Sequence, residues 1–480
     1  MEERNVMLAG FMVPHPPMIV PDVGRGSEKQ IEETICAYER VADEIAALEP
    51  ETIIITSPHS IMYADYFHIS PGKGAKGSFS RFGAPQVSFK EEYDTELTDM
   101  LCRICEREKI SAGTEGERDS SLDHGTMVPL WFIRRRYTAG KIVRIGLSGL
   151  PLEEHYRMGM AIREAAEKCG RRIVIIASGD LSHKLQEYGP YGFAPEGPEY
   201  DEKIMDVMGR AAFGELLDFD SGFCDRAAEC GHRSFVIMAG AFDGTVVRAE
   251  RLSHQDVTGV GYGICTFYPT VTAGIADMTN PAGTVGADES RHFLDLHLEK
   301  AEKELEKKRA ASDAYVRLAR ASVESYVRDR RRISIPDDLP REMLEKRAGA
   351  FVSIHKHGEL RGCIGTISPV TDCIAQEIID NAVSAATRDP RFPAIQPDEL
   401  KWLYISVDVL REAEDIDSKE QLDVKRYGVI VTSGRKRGLL LPDLEGVDTV
   451  DKQIEIAKQK AGIRGFEKYS LQRFEVIRHY

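Results

Sequence analysis

The chain has 480 residues, of which 42% are hydrophobic and 29% charged, and a formal net charge of −15. Such a length suggests two to four domains, and a uniformly acidic balance argues against nucleic acid or an anionic membrane as partner, since both need basic surface. No apolar run reaches the roughly 18 residues of a membrane-spanning helix. The start Met1-Glu2-Glu3-Arg4-Asn5 is polar and lacks the basic, apolar, small-residue order of a signal peptide, so a cytoplasmic location is expected.

In chain order, residues 6–13 read as a strand and 28–48 as an amphipathic helix, with Ile31, Ile35, Val41, Ile45 and Leu48 near one face. Residues 52–56 are a buried-strand run. Residues 95–108 form a helical pattern that contains Cys102 and Cys105. That CxxC supplies two ligands where zinc wants four, so it carries no metal reading. The nine cysteines are odd in number and irregularly spaced, which argues against a disulfide framework. Strand runs at 141–147 and 172–177 flank a helical stretch at 153–168, and 246–252 with 261–267 read as an antiparallel pair. Alternating strands and helices define an α/β domain with a mixed, largely parallel sheet over residues 1–270.

Near residue 270 the pattern changes. Gly274, Pro281, Gly283 and Gly286 mark a linker, and 296–309 is a dense charge run read as a solvated helix. Together they give a linker and charged helix over 271–310. Beyond it a helix at 314–327 leads into short strands at 350–354, 362–367, 403–410, 429–432 and 438–441. Helices at 372–387 and 449–461 interrupt them, so 311–480 reads as an α+β domain.

The chemistry lies where the histidines fall. His15, His59 and His183 each follow a separate apolar strand. Ligands of open α/β sheets bind beyond the carboxyl ends of the strands, so three imidazoles delivered there meet in one pocket. Prolines stiffen two of those loops, in Val13-Pro14-His15-Pro16-Pro17 and Ser57-Pro58-His59-Ser60. His124 precedes the apolar run at 127–133. Glu229 and Cys230 are adjacent, and either can ligate a transition metal. Two histidines and a carboxylate form the facial triad of non-haem Fe(II) oxygenases. Neighbours on an extended chain point to opposite sides, so one of Glu229 and Cys230 reaches the metal. Glu229 gives an oxygenase-type site; Cys230 gives a softer one suited to copper or zinc. Asp180, three residues before His183, either orients an imidazole or caps a helix.

The segments PHPPMIVP, SPHS, LDHGTMVPL, SGDLSH and ECGHRS, in that order across about residues 6–268, resemble the LigB-type class III extradiol dioxygenases and their Memo relatives. The resemblance implies Fe(II) held by His15, His59 and Glu229, a catalytic acid/base at His183, and His124 lining the substrate pocket. Memo-type relatives carry a cysteine where dioxygenases carry the carboxylate, which keeps Cys230 as the alternative ligand.

In the second domain Arg361 and Cys363 lie two apart on a strand and share a face, where a guanidinium could favour the thiolate. The alternative is a small buried cysteine between packing glycines. The LRGCIG segment, with RDPRFP at 388–393 and GLLLP at 438–442, resembles the AMMECR family over about residues 312–480. The pair of resemblances implies a component of the AmmeMemoRadiSam system. Its partners would be a small-molecule substrate, a radical SAM protein and a Memo-type partner; a homo-oligomer is compatible with it. The expectation is therefore an extradiol-dioxygenase-like enzyme acting on a catecholic or other chelating substrate. The alternatives are a non-oxygenase reaction, metal delivery, or a scaffold.

Overall fold

The structure, a computed structural model, describes residues 6–270 and 292–480 except 357, 445, 465 and 466. Most of the expected linker, residues 271–291, lies outside the described residues. The chain divides into two compact units, Met1–Leu298 and Glu299–Tyr480.

The N-terminal unit is built on a six-stranded sheet in the order Lys141–Gly146, Thr52–Ser57, Ile173–Ser178, Met7–Val13, Tyr262–Pro269, Val247–Gln255. The first four strands run parallel, and the last two complete the sheet antiparallel. The strand interiors are continuous apolar runs because both faces are covered. Ile54, Ile173 and Ile175 enter one core, which the helices Thr95–Glu108, Leu152–Cys169 and His232–Ala241 complete. Ile53, Ile55, Val174 and Ile176 enter the opposite core, under Glu32–Leu48 and His124–Ile133. This is the α/β architecture expected from the sequence.

Register fixes the position of the site. Val13 lies opposite Ser178, and Thr56 opposite Ala177. Three neighbouring parallel strands therefore end level with one another, and their next residues emerge at one edge.

The sequence pattern does not anticipate the hairpin Gly74–Phe79 with Ala84–Glu92. Its residues alternate only weakly between buried and exposed, so it has no strong period-two signal.

The C-terminal unit is α+β. One antiparallel sheet runs Glu359–Gly365, Ala350–Lys356, Leu403–Leu410, Val476–His479; a second runs Glu414–Ile416, Ser470–Phe474, Gly428–Ser433, Lys436–Leu440. Helices Ala314–Asp329 and Ile374–Thr387 bury their apolar faces on the first sheet, where Val352, Ile354, Ile405 and Val407 form the core. Val450–Ala461 packs against the second through Ile454 and Ala457.

Candidate metal centre

His15 and His59 follow two of the level strands, and His124 opens the helix His124–Ile133. Their imidazoles form the group of potential metal ligands among the described residues, with one nitrogen of each within 4.8 Å of the others. Nε2 of His15 and Nε2 of His59 are 3.0 Å apart. The His59 and His124 rings stack at 3.9 Å between centroids.

Local hydrogen bonds fix these rings. Asp123 caps the His124 helix by accepting from the Thr126 N–H, and it also accepts from the Ser57 hydroxyl at 2.5 Å. The same Ser57 oxygen accepts the His59 N–H at 3.2 Å. The His59 loop and the His124 helix are thereby tied together. Gly125 is needed for this approach, because a Cβ there would stand 2.3 Å from the Ser57 hydroxyl.

The tautomer of His15 follows from its neighbours. The Ser178 hydroxyl donates its hydrogen to the Gly125 carbonyl at 2.6 Å. At 2.9 Å from His15 Nδ1, that oxygen can then only accept, so Nδ1 carries the proton. Nε2 is left with its lone pair facing the other imidazoles. Such an outer hydrogen bond typically orients a metal-ligating histidine. His183 is set the same way: Nδ1 donates to the Ala228 carbonyl at 2.5 Å, which leaves Nε2 as an acceptor.

Electrostatics keep the rings neutral. Burial lowers the pKa of His15 well below the ordinary value, and His59, His124 and His183 lower it further. Burial, then His59, drops His124 to about 4. Burial also lowers His59 and His183. Neutral imidazole is the form that binds a transition metal. Two nitrogens sharing an ion at about 2.0–2.1 Å stand roughly 3 Å apart, as the two Nε2 atoms do. The donor set therefore fits a divalent metal.

Glu229, expected as the third ligand, is not brought to this cluster. Its Oε2 accepts the His232 N–H at 2.6 Å, and it serves the amino end of the helix His232–Ala241 as a carboxylate does at the positive end of a helix dipole. Burial pushes it up to about 7. Cys230 is the residue that faces the histidines, with Sγ 3.6 Å from His15 Nε2. The reason is the backbone. Ala228 sits in the left-handed region at φ 55°, so the chain turns there and the alternation of an extended segment does not apply. His124, expected as a substrate-pocket residue, completes the cluster with His15 and His59 among the described residues.

Asp180 caps no helix. Its Oδ1 accepts the His15 N–H at 2.7 Å, and its Oδ2 lies 4.0 Å from His15 Nε2. Burial pushes its carboxyl up to about 7. Its place beside Cys230 depends on two glycines: a Cβ on Gly179 would fall 2.0 Å from the Cα of Gly231. The sequence carried that signal in SGD and CGH, but only contact between the two loops gives it meaning.

In the C-terminal unit Cys363 is not governed by Arg361. The Arg361 guanidinium binds Glu399 through Nε and Nη2, both at 2.9 Å. Cys363 Sγ accepts from the Ser353 hydroxyl at 3.2 Å, and its N–H donates to Asp389 at 2.8 Å. Burial raises the thiol pKa, and the bond from Ser353 and the charge of Arg391 offset this only in part. Of the two readings open for Cys363, the surroundings favour the packed thiol over the thiolate, because desolvation outweighs the nearby cation.

Fold and histidine geometry together define a LigB-type α/β domain with a histidine cluster at the carboxyl edge of its sheet, followed in the chain by an α+β domain. Residues 9–265 match the catalytic LigB subunit of aromatic ring-opening dioxygenase, and residues 316–479 match AMMECR1. The chain belongs to the LigB family and carries an AMMECR1 domain. A Clostridium acetobutylicum protein is 41% identical over 98% of both chains. A Thermotoga maritima protein is 50% identical over 34% of this chain and 96% of its own length. Among solved structures, an uncharacterized Escherichia coli protein covers 54% of this chain at 13% identity and a TM-score of 0.37. Among the described residues no helix is long and apolar enough to cross a membrane.

Proposed function

We propose that the N-terminal unit is a metal-dependent oxidoreductase of the extradiol-dioxygenase type, which acts on a catecholic or other chelating substrate. The carrying observation is the convergence of three imidazoles, from His15, His59 and His124, whose pKa values burial lowers despite Asp180 beside His15 and Asp123 beside the other two. These residues would hold Fe(II), with Cys230 at the margin. A bound ion of this kind supplies Lewis acidity and a place for oxygen beside a chelated diol.

The remaining work belongs to the chain. Ser178 and the Gly125 carbonyl hold the His15 ring in its ligating tautomer. His183, with Nδ1 bound to the Ala228 carbonyl, presents Nε2 as the base that takes a substrate hydroxyl proton. Asp180, held near neutrality by burial, is the second group able to exchange a proton close to His15.

The test is anaerobic purification, Fe(II) loading and measurement of oxygen uptake with catechols. Uptake that requires iron supports the reading, and absence of uptake with metal bound removes the oxygenase part. A second reading, a non-oxygenase site serving a radical SAM partner, is favoured by Cys230 Sγ at 3.6 Å from His15 Nε2, because a thiolate shifts preference toward softer ions. Preferential copper or zinc binding, lost in Cys230→Ser, would support it.

A further inference from the structure

The helix Phe293–Ala311 opens with an apolar turn that belongs to the N-terminal unit. Leu294 enters the core that also holds Tyr156 and Phe242, and Phe293 and Leu298 pack against it. A Cβ on Gly214 would stand 2.9 Å from the Phe293 ring.

Polar contacts fasten the same turn. Asp243 is 7% exposed. Its Oδ1 accepts from the Tyr156 hydroxyl at 2.8 Å and from the Phe293 N–H at 3.1 Å, so this carboxylate caps a helix that begins 50 residues later. Its Oδ2 lies 2.6 Å from Nδ1 of His292. Further along, His297 stands between two carboxylates, with Nδ1 3.1 Å from Asp218 and Nε2 3.7 Å from Glu153. A neutral imidazole has one N–H. It can serve Asp243 from His292, more weakly than a charged donor would, but it cannot serve both carboxylates around His297.

Among the described residues the surroundings favour the proton. Asp243 and Asp295 face His292, opposed by Arg163, which is engaged by Glu167 and by oxygens of Asp243 and Thr245. Glu108, Arg157, Glu164 and Glu167 line the cavity beside His292, and each is already in an ion pair. Burial raises the pKa of the Tyr156 hydroxyl, so it stays protonated. The bond to Asp243 raises the pKa of His292. The bond to Glu153 and the charge of Asp218 raise that of His297 against its desolvation. His292 is exposed and His297 half-buried, so solvent screens the first contact more than the second.

We propose that these contacts form a proton-operated clasp: with both imidazoles charged, the first turns of the helix Phe293–Ala311 are held on the N-terminal unit, and with both neutral that segment loosens. The clasp does not depend on the metal reading. Asp243 follows the helix His232–Ala241, and Cys230, just before that helix, faces His15. The clasp is thus built on an element that also borders the histidine cluster. Because folding raises both pKa values, their contribution is complete below the unfolded value near pH 6.5 and is lost as pH rises through the folded values.

The experiment is hydrogen exchange read by mass spectrometry on the full chain, each rate being divided by the unstructured rate at the same pH. Peptides covering 293–298 are compared with the helix Glu32–Leu48 as internal reference. Between about pH 5.5 and about pH 9 the protection of 293–298 relative to the reference should fall on the order of tenfold, the factor that one pKa unit carries. His292→Gln with His297→Gln should exchange at the lower pH nearly as fast as the wild type does at the higher, with a pH response of less than about twofold. Asp243→Asn keeps an acceptor for the Phe293 N–H and removes the charge, and it should flatten the response in part. The reference helix reports folding of each variant; should the double variant lose that protection, the wild-type ratio and Asp243→Asn decide. Equal wild-type protection at the two pH values overturns the proposal, as does a folded double variant, or an Asp243→Asn chain, that keeps the full wild-type response.

Discussion

Around Cys363 the polar groups satisfy one another, whereas around His15 they do not. The Cys363 thiol takes a bond from Ser353, its N–H is taken by Asp389, and Asp389 is paired by Arg391 at 2.7 Å. That network closes without any further group. At the other site three imidazoles face one another, and one hydrogen between two Nε2 atoms satisfies a single lone pair. Buried polar groups ordinarily find partners. An arrangement that leaves acceptors converging on one point suits a cation, and this contrast is what supports the proposed metal site.

Changes on the two sides should behave differently. The largest effect is expected at His183. His183→Gln should keep the bound metal and lower turnover by about a hundred- to ten-thousand-fold, measured as metal content beside rate. Loss of metal in that variant would make it a ligand. Next, Gly179→Ala places a Cβ 2.0 Å from the Gly231 Cα. It should destabilise the N-terminal unit by about 1–3 kcal/mol, read by denaturant unfolding. An unchanged midpoint would mean the two loops are not in contact.

In the closed network Asp389→Asn should cost about 2 kcal/mol at neutral pH and leave metal content alone. The bond from Arg391 holds the Asp389 carboxyl below its usual range. Its contribution is therefore present above the unfolded value near pH 3.9 and disappears as pH falls through the folded value. The variant should show a flatter acid limb in stability against pH, and an identical limb would refute the pairing. The smallest effect belongs to Glu229→Gln, which should lose about 1 kcal/mol of helix capping and retain metal. Loss of metal there would restore the oxygenase triad expected from the sequence.

Much of this was legible in the sequence because strong local signals governed it. The strands at 52–56 and 172–177 are apolar runs that both cores require, and they appear as Thr52–Ser57 and Ile173–Ser178. The helix at 95–108 appears at Thr95–Glu108, ended by Lys109 in the left-handed region. Histidines placed after such strands pointed to the carboxyl edge of the sheet. What was hidden depended on geometry that periodicity does not encode. One positive φ at Ala228 turned Glu229 to the helix and Cys230 to the histidines. Arg361 shares a strand with Cys363, but its guanidinium is drawn to Glu399, 38 residues away. The Gly74–Phe79 and Ala84–Glu92 strands expose much of both faces, so their pairing left no pattern to read.

The central claim is that His15, His59 and His124 hold one divalent ion. The direct measurement is metal content per chain after anaerobic purification and Fe(II) loading, in the wild-type chain and in His15→Ala with His59→Ala. About one equivalent is expected in the wild type and none in the double variant, with the C-terminal unit still folded. An unchanged metal content in the double variant would contradict the claim.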